Sequence, residues 1–296
     1  MAALCLSLVT AQKSSAGQGE RDRLFGFAEA LFAERDYYRA ITEYKRFKYL
    51  YPVDALVEKS DFRISESYFK AGRRSEAIDS FNTFIRQYPA GPLRPDALYL
   101  KGQAENEQKR YTDALATFDE LTRTGGAAYR DRAFYAQALV FLAQQDWQQA
   151  RETFATLPQE SPLYPAAKVY SEGLQRMDSL PCKSPAVAGT LAAVLPGAGH
   201  LYAERPRDAL VSFLLNGSFI WATVELFRNN NNVTGGIVAF LELGWYSGNI
   251  YSAVSSAHKY NKRIQDEFLQ GLKDKSGISF YRDRNGSQYI MYSMIF

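Results

Sequence analysis

The chain has 296 residues, 46% hydrophobic and 23% charged, a composition that excludes a disordered or collagen-like protein. Thirty-five basic and 32 acidic side chains leave a formal charge of +3, too small for a surface that binds nucleic acid. Two cysteines and two histidines give neither a disulfide framework nor a metal centre, so we expect no metal and no nucleic-acid partner.

The amino terminus resembles a secretory signal. Residues 2–10 form an uncharged apolar run, and Val9-Thr10-Ala11 is a small-residue pattern suited to cleavage before Gln12. The basic residues that usually precede such a run are absent. The sequence therefore predicts a truncated signal peptide over residues 1–11, which a misplaced start codon would explain; the alternative is that the run is only a frayed leader. A signal peptide implies export into the cell envelope.

Residues 22–178 contain an internal repeat. Alanines recur at spacings of 37, 37 and 36 residues, each with an aromatic residue four positions later and a small residue twelve positions earlier. The alanines are Ala40, Ala77, Ala114 and Ala150; the aromatic residues are Tyr44, Phe81, Phe118 and Phe154; the small residues are Ala28, Ser65, Gly102 and Ala138. A period of this length predicts stacked helix pairs, in which small residues let the helices approach and an aromatic ring fills the remaining space.

Proline ends three of the four repeats, at Pro52, Pro89 and Pro162. The pattern resembles tetratricopeptide repeats, and the ending at 81–89 is similar to the tetratricopeptide lipoprotein of the bacterial outer-membrane barrel-assembly machinery. The resemblance implies four repeats with a capping helix and a protein or peptide partner bound in a groove. The third repeat departs from the pattern, with Glu105 where an aromatic residue is usual.

The first helix of every repeat carries an aromatic residue at one equivalent position, namely Phe25, Phe62, Tyr99 and Tyr135. In the family that the sequence resembles, this position faces the groove, so these four residues are candidates for binding a partner. The alternative is that the rings pack within the helix layer, which aromatic residues at helical spacing commonly do.

Residues 184–256 form a hydrophobic module with apolar stretches at 186–203, 209–227 and 233–254. The last two are long enough to cross a hydrocarbon layer of about 30 Å. They contain the polar residues Asn216, Glu225, Glu242 and Asn249. Glu242 and Asn249 are seven residues apart and share a helical face, so we predict a membrane hairpin that hides this face inside. An ordinary buried bundle is the alternative.

A turn motif interrupts the first apolar stretch. The run from Pro196 to Tyr202, followed by Asp208, resembles the turn of small bacterial membrane-hairpin families, including the two-transmembrane-helix domain. Proline and paired glycines break a helix, which predicts a kinked or re-entrant segment. The candidate residues of the membrane module are therefore Pro196, Gly197, Gly199, His200, Tyr202 and Asp208, with Asn216, Glu225, Glu242 and Asn249.

Residues 257–296 form the predicted tail. Apolar residues about one turn apart predict an amphipathic helix over 258–273. Two alternating segments then flank Asn285-Gly286, a strong signal for a β-hairpin. The predicted fold class is thus all-α: a tetratricopeptide-like helical solenoid followed by a hydrophobic helical membrane module and a short C-terminal β-hairpin.

The sequence contains no phosphate-binding loop, nucleophile elbow or zinc-protease motif, so we expect no enzymatic activity, no catalytic residue and no cofactor. The predicted function is a non-enzymatic, membrane-anchored adaptor with its repeats in the periplasm, acting in envelope protein assembly or secretion. It binds a protein or peptide through its groove, and membrane lipid or a membrane protein through 184–256. The alternative is a structural subunit of a membrane transport complex that assembles through this hydrophobic module.

Overall fold

The computed structural model describes residues 19–282 and 288–292, so the predicted signal peptide over 1–11 lies outside the described residues. The chain divides into two compact units. The first contains the repeats up to Gln175 together with the segment that begins at Asp274. The second is Arg176–Lys273.

The first unit is a series of antiparallel helix pairs, in which each helix packs on the next. Helix α1 covers residues 19–33. The following helices are α2 (Tyr37–Leu50), α3 (Val57–Lys70), α4 (Arg74–Gln87), α5 (Arg94–Glu107), α6 (Tyr111–Thr124), α7 (Gly126–Ala143), α8 (Trp147–Ala155) and α9 (Tyr164–Leu174). The pairs α1/α2, α3/α4, α5/α6 and α7/α8 are the four repeats. Helix α9 packs on α8, with the rings of Phe154 and Tyr170 stacked at 4.8 Å.

The turn inside each helix pair has the same backbone conformation. One residue per turn takes a left-handed φ between 60° and 79°, namely Arg35, Gly72, Lys109 and Gln145. Asp36 and Asp146 then cap the second helix of their repeats, accepting from the backbone N–H of Arg39 at 3.3 Å and of Gln149 at 3.0 Å. The period that the alanines predict is therefore repeated in the backbone itself.

The repeated residues form the core of each pair. The four alanines are fully buried, and the four aromatic residues that follow them are at most 1% exposed. Space is tight at the small-residue position: a Cβ added to Gly102 would lie within 3.0 Å of three atoms of the Phe118 ring. The predicted tetratricopeptide-like solenoid is confirmed.

The second unit begins with a 3₁₀ turn at Met177–Ser179 and contains α10 (Pro185–Val194), α11 (Ala198–Tyr202), α12 (Pro206–Arg228) and most of α13 (Asn232–Lys275). A three-residue turn joins α12 to α13, with Asn230 at a φ of 60°. Helix α13 continues through the predicted boundary at 256/257, so the amphipathic segment 258–273 extends the apolar helix.

The predicted fold class needs a correction at the carboxyl end. The segments β1 (Ile278–Arg282) and β2 (Gln288–Tyr292) pair with each other in antiparallel register, and the Asn285-Gly286 turn lies outside the described residues. A two-stranded ribbon of this length is marginal by itself and adds no β layer to a fold. The prediction that a β-hairpin completes the fold is therefore wrong, and the fold is an all-α, tetratricopeptide-like solenoid.

Candidate functional site

The four candidate groove aromatics pack inside their own repeats. Phe25, Phe62 and Tyr135 are 8%, 8% and 5% exposed, and Tyr99 is half-buried. Each ring contacts the core aromatic of the second helix: Phe25–Tyr44 at 5.8 Å, Phe62–Phe81 at 6.3 Å, Tyr99–Phe118 at 6.2 Å and Tyr135–Phe154 at 5.2 Å between centroids. This placement agrees with the alternative interpretation, packing within the helix layer. Their role in binding a partner stays a prediction.

An ion-pair network joins the first helices of repeats one and two. Glu29 of α1 accepts hydrogen bonds from the Tyr44 hydroxyl at 2.6 Å and from Arg63 Nε of α3 at 3.0 Å. Arg63 Nη1 also donates to Glu66 at 2.7 Å. Lys59 Nζ lies 3.4 Å from Glu29 Oε2. The charged groups on this part of the surface therefore already have partners within the chain.

The pKa shifts of Glu29 and Tyr44 agree with a network whose charges are satisfied within the chain. Burial opposes ionisation of Glu29, but the hydrogen bonds from Tyr44 and Arg63 and the charges of Arg63 and Lys59 outweigh it, so the pKa of Glu29 lies below its ordinary value. Burial and the bond to Glu29 raise the pKa of Tyr44. At neutral pH the Glu29 carboxylate is therefore ionised and the Tyr44 phenol is neutral.

The same surface changes character in repeats three and four. Arg63 and Glu66 of repeat two have equivalent positions in repeats three and four. We define the α5–α7 face as the four residues at those positions. These residues are Leu100, Gln103, Ala136 and Leu139. Helix α5 contacts both α3 and α7, so the first helices of successive repeats are neighbours. The equivalent positions on these helices therefore form a row. Apolar and amide side chains thus replace the charged network.

Two acceptor atoms of α5 have no hydrogen-bond partner among the described residues. They are Oε1 of Gln103 and Oδ1 of Asn106, and both atoms are buried from solvent. A buried acceptor without a donor costs free energy, so these atoms weaken the packing of α5. Leu100 and Leu139 of the α5–α7 face are half-buried and have apolar side chains.

The unusual Glu105 of repeat three is explained by a buried polar cluster. Glu105 is 2% exposed, and its Oε2 accepts from the Thr117 hydroxyl at 2.7 Å. Lys101 Nζ lies 3.3 Å from Glu105 Oε1 and 3.0 Å from the Thr117 hydroxyl. The cluster joins α5 to α6 through Glu105, which stands where the other repeats carry Leu31, Tyr68 and Phe141.

In the hydrophobic module, the polar residues inside the predicted hairpin lie in the interior. Asn216 is fully buried, and Glu242 and Asn249 are 7% and 6% exposed. This agrees with the inward-facing polar stripe that the seven-residue spacing predicts. Glu225 lies near the α12–α13 turn instead, where it contacts Arg228 at 3.8 Å and Asn229 at 3.0 Å.

These interior groups are only partly satisfied. Asn249 Nδ2 donates to the carbonyl of Ala192 at 3.3 Å, and Asn216 Nδ2 donates to the carbonyl of Ser212 at 2.7 Å. The Oδ1 atoms of both asparagines and both carboxyl oxygens of Glu242 have no partner among the described residues. The interior of the module therefore contains buried polar atoms that lack a hydrogen-bond partner within the described residues.

The Pro-Gly-Ala-Gly motif allows close packing around α11. Pro196 lies in the break between α10 and α11, and Gly197 has a φ of 87°, which a side chain would strain. A Cβ added at Gly199 would overlap the carbonyl oxygen of Ala188 and lie 2.8 Å from Ala253 Cβ. Both glycines are therefore required by backbone geometry.

The polar residues of the motif tie the module together. His200 is 1% exposed, and its Nε2 lies 3.0 Å from the Ser252 hydroxyl of α13. The Tyr202 hydroxyl accepts from the backbone N–H of Ser184 at 3.0 Å. Asp208 forms an ion pair with Arg205 of the preceding turn. These contacts assign structural roles to the motif residues.

The outer surface of the module carries large apolar side chains. On α12, Leu210 is 59% and Trp221 is 70% exposed, and on α13, Val233, Phe240 and Tyr251 are 76% to 80% exposed. Among the described helices, Pro206–Arg228 alone is long and apolar enough to cross a membrane, and only 6% of its apolar window is buried.

Comparisons with known proteins identify the repeats. Tetratricopeptide-repeat family models match residues 62–131 and 132–163. The second, third and fourth helix pairs are therefore tetratricopeptide repeats. Repeats of this class serve as scaffolds for protein–protein interaction.

Two solved structures are similar to the chain. A tetratricopeptide repeat protein from Parabacteroides merdae has a TM-score of 0.44 and 16% identity, covering 86% of this chain and 98% of that one. The Rap protein complexed with competence and sporulation factor has a TM-score of 0.39 and 11% identity, covering 86% and 76%. No curated protein matches the sequence significantly.

Sequence reasoning missed the Glu29–Arg63 network and the Lys101–Glu105–Thr117 cluster. Glu29 and Arg63 are 34 residues apart, so no local motif contains both. The sequence nevertheless contained a signal for the Glu29–Arg63 network. Aligning the repeats puts charged residues at the Arg63 and Glu66 positions in repeat two and uncharged ones in repeats three and four.

Proposed function

We propose that this protein is a non-enzymatic adaptor that holds a protein or peptide partner on its solenoid while its hydrophobic module fixes it to a membrane. The tetratricopeptide repeats at 62–163 support the first half of the proposal. The exposed apolar surface of α12 and α13 supports the second half.

The α5–α7 face is the part of the solenoid best suited to a partner, and the contrast with repeats one and two carries this assignment. Glu29, Arg63 and Glu66 already satisfy one another. Leu100 and Leu139 are half-buried apolar side chains at the repeat positions of Arg63 and Glu66. A peptide segment with apolar side chains therefore fits the chemistry of this face.

Capture by cross-linking in intact membranes tests the assignment. We expect the full chain to capture a specific partner, and Leu139→Lys to reduce that capture at least tenfold because it places a charge on the apolar face. Lys59→Gln is the matched control, since it changes one charge on the network of repeats one and two and should leave capture intact. Equal capture by wild type and Leu139→Lys would refute the assignment, provided that circular dichroism shows the same helix content.

The membrane anchor is a hairpin of α12 and the first half of α13. The exposed apolar side chains extend from Leu210 to Phe227 on α12 and from Val233 to Tyr251 on α13. At 1.5 Å per residue these bands are about 26 and 27 Å long, close to a hydrocarbon layer of about 30 Å. Asn216, Glu242 and Asn249 lie inside the module and are thereby kept from lipid.

The proposed location is the bacterial envelope, with the repeats in the periplasm. The small-residue pattern before Gln12 supports export, since it has the form of a signal cleavage site. Protease added to intact spheroplasts checks this location. Digestion of the repeats without lysis is the expected result, whereas protection until lysis would place the repeats in the cytoplasm.

The second candidate function is a structural subunit of a membrane complex. The exposed rings of Trp221 and Phe240 favour it, because aromatic side chains can pack on another membrane protein as well as on lipid. The cross-linking experiment separates the two functions. A partner retained by Leu139→Lys and cross-linked through α12 or α13 would support the subunit.

A further inference from the structure

One end of the hydrophobic module gathers basic side chains from three separate segments. The first segment precedes α10: the backbone N–H of Lys183 donates to Asn261 Oδ1 at 2.7 Å, and Asn261 Nδ2 donates to the Lys183 carbonyl at 2.9 Å. These reciprocal bonds fix residue 183 against α13. Lys183 Nζ also lies over the rings of Tyr202 and Tyr260, at 5.1 and 5.3 Å from their centroids.

The start of α12 reaches the same end. Arg205 Nη1 donates to the Ser256 hydroxyl of α13 at 3.1 Å. Segments 183–184, 202–207 and 256–263 therefore meet at the end of the module that lies away from the α12–α13 turn. We call their basic side chains the basic rim, which consists of Lys183, Arg205, Arg207, Lys259, Lys262 and Arg263.

Half of the basic rim has no carboxylate partner. Arg207, Lys259 and Lys262 are exposed, and none has an ion pair within the described residues. The other three cations are paired, as Lys183–Glu204 at 3.2 Å, Arg205–Asp208, and Arg263–Glu267 at 3.9 Å. Asp266 is a fourth carboxylate at this end, so basic side chains outnumber acidic ones by six to four.

The opposite end of the module lacks this excess of charge. Arg228 pairs with Glu225 at 3.8 Å, and the turn that follows consists of asparagine residues. The two ends of the apolar band therefore differ in charge. The free cations adjoin that band, since Leu210 is 59% exposed three residues after Arg207, and Tyr251 is 76% exposed eight residues before Lys259.

We propose that the basic rim binds the headgroups of anionic phospholipids. This inference rests on the proposed membrane anchor, which would hold Arg207, Lys259 and Lys262 at the level of the lipid phosphates. Lysine and arginine beside an apolar span interact favourably with anionic lipid. The neutral end has no comparable attraction.

Flotation of the full chain with lipid vesicles tests the proposal. The vesicles contain either phosphatidylcholine alone or phosphatidylcholine with phosphatidylglycerol. Each basic residue near an anionic surface strengthens partitioning roughly fivefold, so the triple variant R207Q/K259Q/K262Q should lose on the order of 100-fold in its preference for anionic vesicles. The control R23Q/K109Q/R123Q removes the same charge from exposed positions of the solenoid and should keep the preference.

The outcomes separate this inference from the proposed anchor. Wild-type binding to both vesicle types, with an anionic preference that the rim variant loses and high salt removes, supports the inference. Equal wild-type binding to both types overturns the basic rim as a lipid site and leaves the anchor standing. An anionic preference that R207Q/K259Q/K262Q retains also overturns it. Binding to neither vesicle type overturns the anchor, and the inference with it.

Discussion

The solenoid and the hydrophobic module are both helical, but they bury opposite kinds of side chain. The solenoid hides Tyr44, Phe81 and Phe118 almost completely. The module hides alanine, glycine and Asn216 and exposes Trp221 to 70%. Hydrophobic side chains are driven inside only where water surrounds the protein, whereas helices in lipid pack through small residues and hide polar ones. The proposed membrane anchor rests on this contrast in buried side chains.

The largest expected effect is the loss of a solenoid core ring. Phe81→Ala should lower the free energy of unfolding by about 3–5 kcal/mol, since Phe81 is fully buried. Phe27→Ala is the control, because Phe27 is 47% exposed and should change stability by no more than about 0.5 kcal/mol. Urea unfolding of the full chain, followed by circular dichroism, gives both values. Similar losses in the two variants would mean that the aromatic residues of the solenoid do not form its core.

The two buried glutamates should respond in opposite directions to the same substitution. Glu105→Met removes the acceptor for Lys101 and Thr117 and should destabilise the solenoid by about 2–4 kcal/mol. Glu242→Met removes a carboxyl whose oxygens have no partner in the described chain and should stabilise the module by about 1–2 kcal/mol. Thermal unfolding in detergent measures both. A loss of stability in Glu242→Met would show that this carboxyl has a partner.

Replacing two glycines of the module by alanine should change its stability in opposite directions. Gly199→Ala forces a Cβ against the Ala188 carbonyl and Ala253, and should cost about 1–3 kcal/mol. Gly217→Ala adds its Cβ to open space on α12 and should gain about 0.5–1 kcal/mol from helix propensity. The melting temperature of the reconstituted chain reports both changes. Equal tolerance at the two positions would contradict the close packing of α11 against α10 and α13.

The smallest expected effect is a change in alkaline stability. Burial and the hydrogen bond to Asp96 raise the pKa of Tyr129 to about 12 from an ordinary value of 10. The neutral phenol therefore contributes stability that is complete below pH 10 and is lost as the pH rises toward about 12. Tyr129→Phe should lose less stability than wild type over this interval. Urea midpoints measured across the interval test this, and parallel curves would contradict the contact.

The repeat architecture was predictable because the residues that build it recur locally. A small residue, an alanine and an aromatic ring at fixed spacing define how one helix packs on the next, and Gly102 against Phe118 shows how strict that spacing is. The orientation of the Tyr99 and Tyr135 rings was not predictable. A position on the first helix faces the second helix or the groove according to a rotation that the spacing alone does not determine.

Two further features of the structure could not be predicted from the sequence, for the same physical reason. The Asn285-Gly286 signal describes a turn, but a hairpin becomes part of a fold only when other elements cover it, which a local pattern cannot show. The Glu29–Arg63 pair joins two repeats, so it becomes visible only once the helices are stacked. The inward-facing stripe of Glu242 and Asn249 was predictable because both residues lie on one helix.

The tryptophans test most directly whether the two regions occupy different solvents. Trp147 lies in the solenoid, and Trp221 and Trp245 lie in the module with 70% and 55% exposure. In vesicles whose acyl chains carry bromine, the fluorescence of Trp147→Phe, which retains the module tryptophans, should be quenched by the lipid. The double variant W221F/W245F, which retains Trp147, should be quenched only by aqueous acrylamide. Quenching of both proteins by acrylamide alone would contradict the account.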